Sequence, residues 1–425
     1  MSHIITIEKL VFGGQGLGRI NGKVAFVWNA LPGEEVEVEI LNGKKDMYEA
    51  VAVKILKPSP ERVEPKESHF LSSAPWEMLD WDRENYWKKA IALEQYGKIG
   101  GLILQQDPPK IVSDDRIYGY RNKIEFSFAE LPDGTKSLAF FERGKHERIP
   151  IDGSLLAEPI INEVAQNILA WVNEQQIPMR SLKSLIVRSN GEGQAIAALF
   201  IKDELPLTDL PAAKGNFLGF RLYYSTHKSP ASVPTKLLYG DGQDYLIATI
   251  KSTKLKFGLL SFFQINIPVF DQALTDIADF LHPNMPLLDF YSGVGAIGLA
   301  LSHNRDSLIL VDSNEEAIQY AHENIALNSR KNTEAMCVPA EKITELISGD
   351  KQLLLDPPRA GLHPKVVSTI LQKRPPRIVY MSCDLATHAR DIRLLSEGYR
   401  VTFIKLYNFF PRTPHIEGLA VLDPI

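Results

Sequence analysis

The sequence predicts a doubly wound, mainly parallel α/β sheet over its last third, preceded by a small OB-type β-barrel and a central α+β region. Three observations carry this. Residues 1–57 alternate apolar and polar in short runs ("IITIEKL", "KVAFVWNA", "EEVEVEIL", "YEAVAVKIL"), separated by the turns "GGQGLG", "NG", "LPGE" and "NGKK". About four or five short strands in so little sequence indicate a small barrel. From Pro286 onward, apolar strand runs alternate with helical stretches, the pattern of a parallel sheet with helices on both faces. Between the two, the periodicity is mixed.

A chain of 425 residues has room for two or three domains. The composition shifts place them at 1–57, 67–264 and 265–425, with "KPSPERVEP" as a linker after the barrel. Hydrophobic residues make up 44% and charged residues 23%, the balance of a folded protein with a large core. There is neither a secretory leader pattern nor an apolar run long enough to cross a bilayer, so a cytoplasmic protein without a membrane partner is expected. The two cysteines, Cys337 and Cys383, cannot build a disulfide framework or a four-thiolate metal site. A net charge of -5 gives no general attraction for nucleic acid. Any such partner must be argued from local features.

In the central region, "SAPWEMLDWDRENYWKKAIALEQYGKIGG" reads as helix, with Gly100 and Gly101 as its stop signal. "YGYRNKIEFSFAELPDGTKSLAFFERGKHERIPI" reads as a β meander turning at Pro132-Asp133-Gly134. Arg121, Lys123, Arg143, Lys145, His146 and Arg148 lie on it among Tyr118, Tyr120, Phe140 and Phe141. Interleaved basic and aromatic residues suit phosphate contacts and base stacking. A solvated sheet face with a buried aromatic side would have the same pattern.

The C-terminal strand candidates are "PLLDFY", "SLILVD", "EAMCV", "QLLLDPP", "RIVYMS", "RVTFIKLY" and "IEGLAVL". "NEEAIQYAHENIALN" is helical, opening with a capping box from Ser313 to Glu316. "NFFPRTPH" is too short for a crossover helix, so the last strand should run antiparallel to its predecessor.

"LLDFYSGVGAIGLAL" places Gly293-x-Gly295-x-x-Gly298 between a strand and a helix, and Asp312 ends the next strand 19 residues after Gly293. Glycines permit close backbone approach, and the acid takes ribose hydroxyls. The adenosine of NAD and that of S-adenosylmethionine ask for the same geometry, so an NAD-linked oxidoreductase stays in play. Two details favour a methyl donor: Asp289 precedes the first glycine by four residues, and Asp356 leads into Pro357-Pro358 at the carboxyl edge of the sheet. Arg359 follows where amino-methylating enzymes carry an aromatic, which disfavours methyl transfer to an amino nitrogen.

Cys383 ends a strand at that same edge, before the helical "LATHARDIRLLSEG". A helix N-terminus favours the thiolate, below the free value of about 8.5. A packed structural cysteine is the competing reading, and the one preferred for Cys337, inside the apolar "AMCVP". If the last strand is antiparallel, Glu417 also reaches this edge. A thiolate, a carboxylate and a methyl donor together fit methylation of carbon 5 of a uracil. Cys383 adds at carbon 6, and Glu417 removes the proton from carbon 5.

These residues resemble the bacterial 5-methyluridine RNA methyltransferases nearly end to end. The N-terminal run resembles the TRAM barrel of the ribosomal RNA branch, and "YGYRNKIEFSF" and "FFERGKHERI" resemble its central domain. "SFFQIN", "LLDFYSGVGAIGLAL", "LLLDPPRAGLHP", "YMSCDLATHARDI" and "FFPRTPHIEGLAVL" resemble its methyltransferase signatures. The resemblance implies a class I S-adenosylmethionine-dependent methyltransferase fold, with Cys383 as nucleophile and Glu417 as base. It implies that Gln264, Tyr291, Asp312 and Asp356 contact S-adenosylmethionine beside Gly293 and Gly295. The substrate it implies is RNA with a flipped-out uridine; the barrel favours 23S ribosomal RNA over tRNA, although the lack of an iron–sulfur cluster is shared with the tRNA branch, and a monomer is the default expectation. A catalytically retired RNA-binding protein is the rival of another class. Many ribosomal members carry a four-cysteine iron–sulfur cluster, but "PKESHFLSSAPWEMLDWD" and "IPIDGSLLA" hold no cysteine, so no cluster is expected. Ala296 and Asp384 also depart from the family pattern.

Overall fold

The computed structural model describes residues 3–104, 106–228, 232–302 and 307–425. Six strands build the barrel: β1 (His3–Thr6), β2 (Lys9–Leu10), β3 (Gly16–Ile20), β4 (Lys23–Trp28), β5 (Glu35–Gly43) and β6 (Met47–Lys57). They pair in the order β1-β5-β6-β4-β3-β2. This is more than the four or five strands expected, because two-residue β2 is too short to show alternation. Ile5, Ile20, Val27, Val36 and Val38 fill the interior. Asn21 and Gly22, at φ 50° and 80°, make the tight turn that "NG" foretells between β3 and β4.

The long helix begins later than its pattern suggests. α1 (Phe70–Ser73) is a single turn, and α2 (Trp81–Lys98) starts only after Asp80, whose side chain accepts the Asp82 N–H at 2.9 Å. Pro75, lying between them, bars a continuous helix. β7 (Ile111–Val112) then leaves for the far edge of the C-terminal sheet, pairing parallel to a strand described below.

The meander is β8 (Lys123–Glu130), β9 (Lys136–Phe141) and β10 (Arg148–Ile151). After α3 (Pro159–Glu174) the sheet grows by β11 (Leu182–Ser189), β12 (Ala195–Ile201), β13 (Phe217–Tyr224) and β14 (Lys236–Gly242), in the order β10-β9-β8-β11-β12-β13-β14. Ile161, Val164 and Ile168 of α3 pack on Phe126, Phe128, Leu185 and Val187 and cover one face. The hairpin β15 (Tyr245–Ile250) and β16 (Thr253–Gly258) lies within the stretch expected to be central. Its Leu246, Ala248, Leu255 and Phe257 nevertheless pack in one core with residues of the C-terminal sheet.

The C-terminal elements are α4 (Ile267–Phe280), β17 (Leu287–Phe290), α5 (Ala296–Ala300), β18 (Leu308–Asp312), α6 (Glu315–Leu327) and β19 (Thr333–Cys337). β20 (Gln352–Leu355), α7 (Pro364–Lys373), β21 (Ile378–Ser382), α8 (Leu385–Leu395), β22 (Tyr399–Tyr407) and β23 (Glu417–Pro424) follow. The sheet order is β19-β18-β17-β20-β21-β23-β22-β7. β17 to β21 are parallel, and β23 runs antiparallel to both β21 and β22. α6 is capped by Asn314, whose side chain accepts the Ala317 N–H at 2.9 Å, and not by Ser313 as the box pattern proposed. Cys337 is exposed, because β19 is the edge strand, so the packed reading of that thiol is corrected. No described helix is long and apolar enough to cross a membrane.

A buried ionic knot ties α2 to the β22–β23 connection. Lys88, fully buried, pairs with Glu84 at 2.7 Å and donates to the Asn408 side-chain oxygen at 2.6 Å and the Phe410 carbonyl at 3.0 Å. Glu84 accepts from the Asn408 amide at 3.1 Å and the Arg412 N–H at 3.0 Å. Removing one member of such a pair strands the other charge, at a cost of about 3–5 kcal/mol, whereas replacing both together costs far less. Lys88→Met should therefore lower the unfolding free energy by about that amount, and Glu84→Gln/Lys88→Met should recover most of the loss in chemical denaturation. Equal stability of Lys88→Met and wild type would contradict this role.

Candidate active site

Cys383 follows β21 directly, and Glu417 opens β23. Ser382 pairs with Gly418 across the ladder, so the next positions outward bring Cys383 and Glu417 together at the carboxyl edge. Gly418 is required there: a Cβ would overlap the Tyr96 hydroxyl of α2, which bonds His388 Nδ1 of α8 at 3.0 Å. Cys383 is half-buried and opens into a cavity of about 130 Å³ shared with Arg359, His415, Lys88 and, from the barrel, Phe12 and Gly13. The barrel turn is fixed in place by Trp76, whose indole N–H donates to the Gly14 carbonyl at 2.9 Å.

The electrostatics correct the expectation of a favoured thiolate. Burial pushes the Cys383 thiol up to about 11, with the Glu417 and Asp356 carboxyls adding to the rise. Arg359 opposes them through its charge and a hydrogen bond to the thiol. The dipole of α8 gives little help because Asp384 already caps it, accepting the Thr387 N–H at 2.9 Å. Burial lifts Asp356 to about 7. Glu417, 3% exposed, is held well above the carboxylate range by burial and by Asp356, and its Oε2 has no partner among the described residues. An unpaired carboxyl oxygen aimed into the site is free to meet a ligand.

On the cofactor side, Gly298 follows the rule for the third glycine. Its N–H donates to Asp289 at 3.1 Å, and a Cβ would overlap that carboxyl and Leu310. Gly293, at φ 55°, has open space where a Cβ would point, and its N–H donates to Asp312 Oδ2 at 2.9 Å. Gly295, at φ 85°, starts α5. Tyr291 also has positive φ, 65°, at the end of β17. Ser292 Oγ and Asp289 Oδ1 are buried without partners among the described residues. Gln264 is buried in the segment before α4, where its carbonyl accepts from Asn122 at 2.9 Å. The open cradle over Gly293, the Asp312 carboxylate and the orphaned oxygens fit an adenosyl group with a charged amino-acid tail.

A four-thiolate iron–sulfur cluster does not fit this chain. The stretches matching its ligands meet through other groups: Glu67 accepts the Leu155 N–H at 2.6 Å, Glu77 accepts the Tyr118 hydroxyl at 2.7 Å, and Ala74 packs on Tyr120 and Leu156. Both thiols of the chain lie in the C-terminal sheet region.

Of the six basic residues of the meander, Arg121, Lys123, Arg143, Lys145 and His146 do not form one patch. The Arg143 guanidinium stacks 4.1 Å from the Trp28 ring and donates to the Leu71 carbonyl, tying the barrel to the central region. Lys145 is paired with Glu142 at 2.8 Å, and His146 stands exposed in the turn. Arg121 bonds the Lys123 carbonyl at 3.3 Å, and its charge, with those of Arg359 and Lys88, helps hold down His415, which burial first lowers to about 4. Lys123 is pushed down to about 8 by burial and then by Arg188. Pattern reading missed Phe12 and His415, which only the tertiary fold brings to the cavity, and Tyr96 and His388, which it packs beneath Gly418. Arg359 was visible in the Asp-Pro-Pro-Arg run but was read only for what it excluded.

Comparison with known proteins agrees with this geometry. Residues 242–424 match the tRNA (uracil-5-)-methyltransferase family, and residues 4–53 match the TRAM domain. An uncharacterized RNA methyltransferase of Caldanaerobacter subterraneus subsp. tengcongensis is 28% identical over 99% of this chain and 98% of its own. One from Fusobacterium nucleatum is 27% identical over 99% of this chain and 95% of its own. The crystal structure of the Pyrococcus abyssi tRNA (uracil-54, C5)-methyltransferase with S-adenosyl-L-homocysteine superposes with a TM-score of 0.81 at 24% identity, covering 99% of this chain and 100% of that one. It shares the fold, a class I methyltransferase sheet behind an N-terminal barrel. The chain thus carries a region matching the tRNA (uracil-5-)-methyltransferase family, residues 242–424, behind a TRAM domain, and over nearly its whole length it is similar to RNA methyltransferases.

Proposed function

We propose that this enzyme methylates carbon 5 of one uridine in 23S ribosomal RNA through a covalent bond from Cys383 to carbon 6. The observation that carries the mechanism is the register that pairs Ser382 with Gly418 and so sets a thiol beside a buried carboxyl. The Cys383 thiol gives its proton to solvent, its sulfur adds as the thiolate to carbon 6, and the electrons of the carbon 5–carbon 6 double bond move onto carbon 5 and the carbonyl at carbon 4. Arg359, facing the thiol, stabilises the thiolate as it forms. Gly293, Gly295, Asp312, Tyr291, Gln264 and Asp356 would hold S-adenosylmethionine, which would supply an electrophilic methyl group to carbon 5. Glu417 then takes the remaining proton from carbon 5, the double bond reforms, and the thiolate leaves. A carboxylate whose proton affinity is raised by burial is a stronger base in this step than an ordinary one.

The barrel (1–57) and the central region (67–264) are assigned to RNA contact, and 265–425 to catalysis, in a monomer working in the cytoplasm. The likeness of the barrel to that of the ribosomal branch supports the RNA choice. A tRNA substrate is the second reading, favoured by the whole-length likeness to the Pyrococcus tRNA enzyme. Incubation of unmodified 23S and tRNA transcripts with methyl-labelled S-adenosylmethionine decides between them. The expected product is 5-methyluridine in 23S RNA, reduced to background by Cys383→Ala. Full activity in that variant would overturn the nucleophile assignment.

The thiol environments give a second test. With the Cys383 thiol pushed up to about 11, the thiolate at pH 8 is about one part in a thousand, while Cys337 is exposed. Iodoacetamide at pH 8 should label Cys337 well before Cys383 in peptide mass maps, and the Cys383 rate should climb about tenfold per pH unit up to pH 10. Preferential labelling of Cys383 at pH 8 would contradict the assigned electrostatics.

A further inference from the structure

The outer face of the central sheet, opposite α3, holds a cleft of about 600 Å³. Its cations come from four separate segments: Arg148 on β10, Lys183 on β11, Lys202 just after β12 and His227 after β13. In a chain with net charge -5, Arg148, Lys183 and Lys202 have no ion-pair partner among the described residues. Lys183 donates only to neutral oxygens, Ser225 Oγ at 2.8 Å and the Thr226 carbonyl at 3.3 Å. Its proton affinity is lowered by burial and then by the charge of Lys202. Two like charges crowded in this way are relieved by an anion between them. The acid in the cleft, Glu125, accepts the Ser232 hydroxyl at 2.6 Å, and its charge only partly offsets the lowering at Lys183. His227 has Asp203 at 3.4 Å.

An aromatic completes the cleft. Phe141 is 52% exposed, and the Arg148 guanidinium lies 5.2 Å from its ring centre. Register places Phe141 opposite Arg148 and Ser127 opposite Ala139, on the face that also carries Glu125 and Lys123. Lys123 stands among Arg121, Arg188 and Glu316 of α6, at the end of β8 toward the catalytic body. From there to Ser127 is four residues, roughly 13 Å along the strand.

We propose that this cleft binds the phosphodiester backbone of single-stranded substrate RNA a short distance from the reacting uridine, with Phe141 as a stacking platform for one base. This rests on the reading of the chain as an RNA methyltransferase and adds where the strand is held. Uncompensated cations around a cavity, beside an exposed ring, are the groups that phosphate and base faces require.

The test uses the full-length enzyme and a fluorescein-labelled 20-nucleotide oligouridylate, with binding measured across a salt series. Each phosphate contact on a single strand contributes about 0.7 to the slope of log affinity against log salt, so Lys183→Gln/Lys202→Gln should flatten the slope by about 1.4. Phe141→Ala should weaken binding about five- to 150-fold with the slope unchanged. Lys251→Gln, which removes a cation already paired with Asp271, should leave both quantities at wild-type values. If the double variant fails to fold, Lys202→Gln alone should flatten the slope by about 0.7. An unchanged slope in a folded variant of an enzyme that makes 5-methyluridine overturns the cleft and leaves the catalytic reading intact. A flattened slope in a protein that makes no 5-methyluridine supports the cleft and overturns the catalytic reading.

Discussion

β23 enters the sheet between β21 and β22, running against both, with Gly418 opposite Ser382 and Glu417 opposite Tyr407. A slip of one residue would turn Glu417 to the other face of the sheet and remove a carboxyl from the thiol. No crossover helix fixes that register. The connection before β23 is irregular, and its polar groups are satisfied from α2 and the segment before it: Lys88 binds Asn408 and Phe410, Glu84 binds Asn408 and the Arg412 N–H, and the Trp76 backbone N–H, ahead of α2, donates to the Arg412 carbonyl at 3.0 Å. A helix more than 300 residues earlier in the chain thus holds the connection that leads into Glu417. The ionic knot is poor in net stability but strongly penalises any arrangement that leaves one of its charges alone.

Burial acts on all the reacting groups in the same direction. Cys383, Asp356 and Glu417 are each pushed toward their neutral forms, and Arg359 is the cation that opposes this at the thiol. A low-dielectric pocket that disfavours charge at rest also makes each charge–charge contact stronger once a substrate excludes water. The same burial leaves Asp289 Oδ1 and Glu417 Oε2 without protein partners among the described residues, an arrangement tolerated where ligand groups complete the bonding.

Features encoded by contiguous residues were legible in the sequence. The glycine loop, Asp312, the Asp-Pro-Pro turn and the strand-end cysteine each announce themselves within a few positions, and the short "NFFPRTPH" link forces the antiparallel last strand. The misread features depend on neighbours distant in sequence. The exposure of Cys337 follows from its strand lying at the edge, the Cys383 thiol shift follows from burial with Glu417 and Asp356 adding to it, and Arg143 is spent on Trp28 of the barrel. The cleft cations lie on four segments between residues 148 and 227, and no local pattern marks them. The hairpin β15–β16 shows the same limit: its alternation is visible, but its choice of core is a tertiary fact.

Phe12 and Gly13 of the barrel wall the small cavity over Cys383, the charge of Arg121 in the central region is felt by His415 there, and the Lys183–Lys202 cleft lies on the outer face of the central sheet. The central claim is that Cys383 and Glu417 act in sequence on one base, addition first and proton removal second. Glu417→Gln separates the two steps: purified from cells and run on a denaturing gel with and without ribonuclease, it should show a ribonuclease-sensitive upshift from RNA attached to Cys383. Absence of any upshift, with methyl transfer intact in Glu417→Gln, would contradict the account.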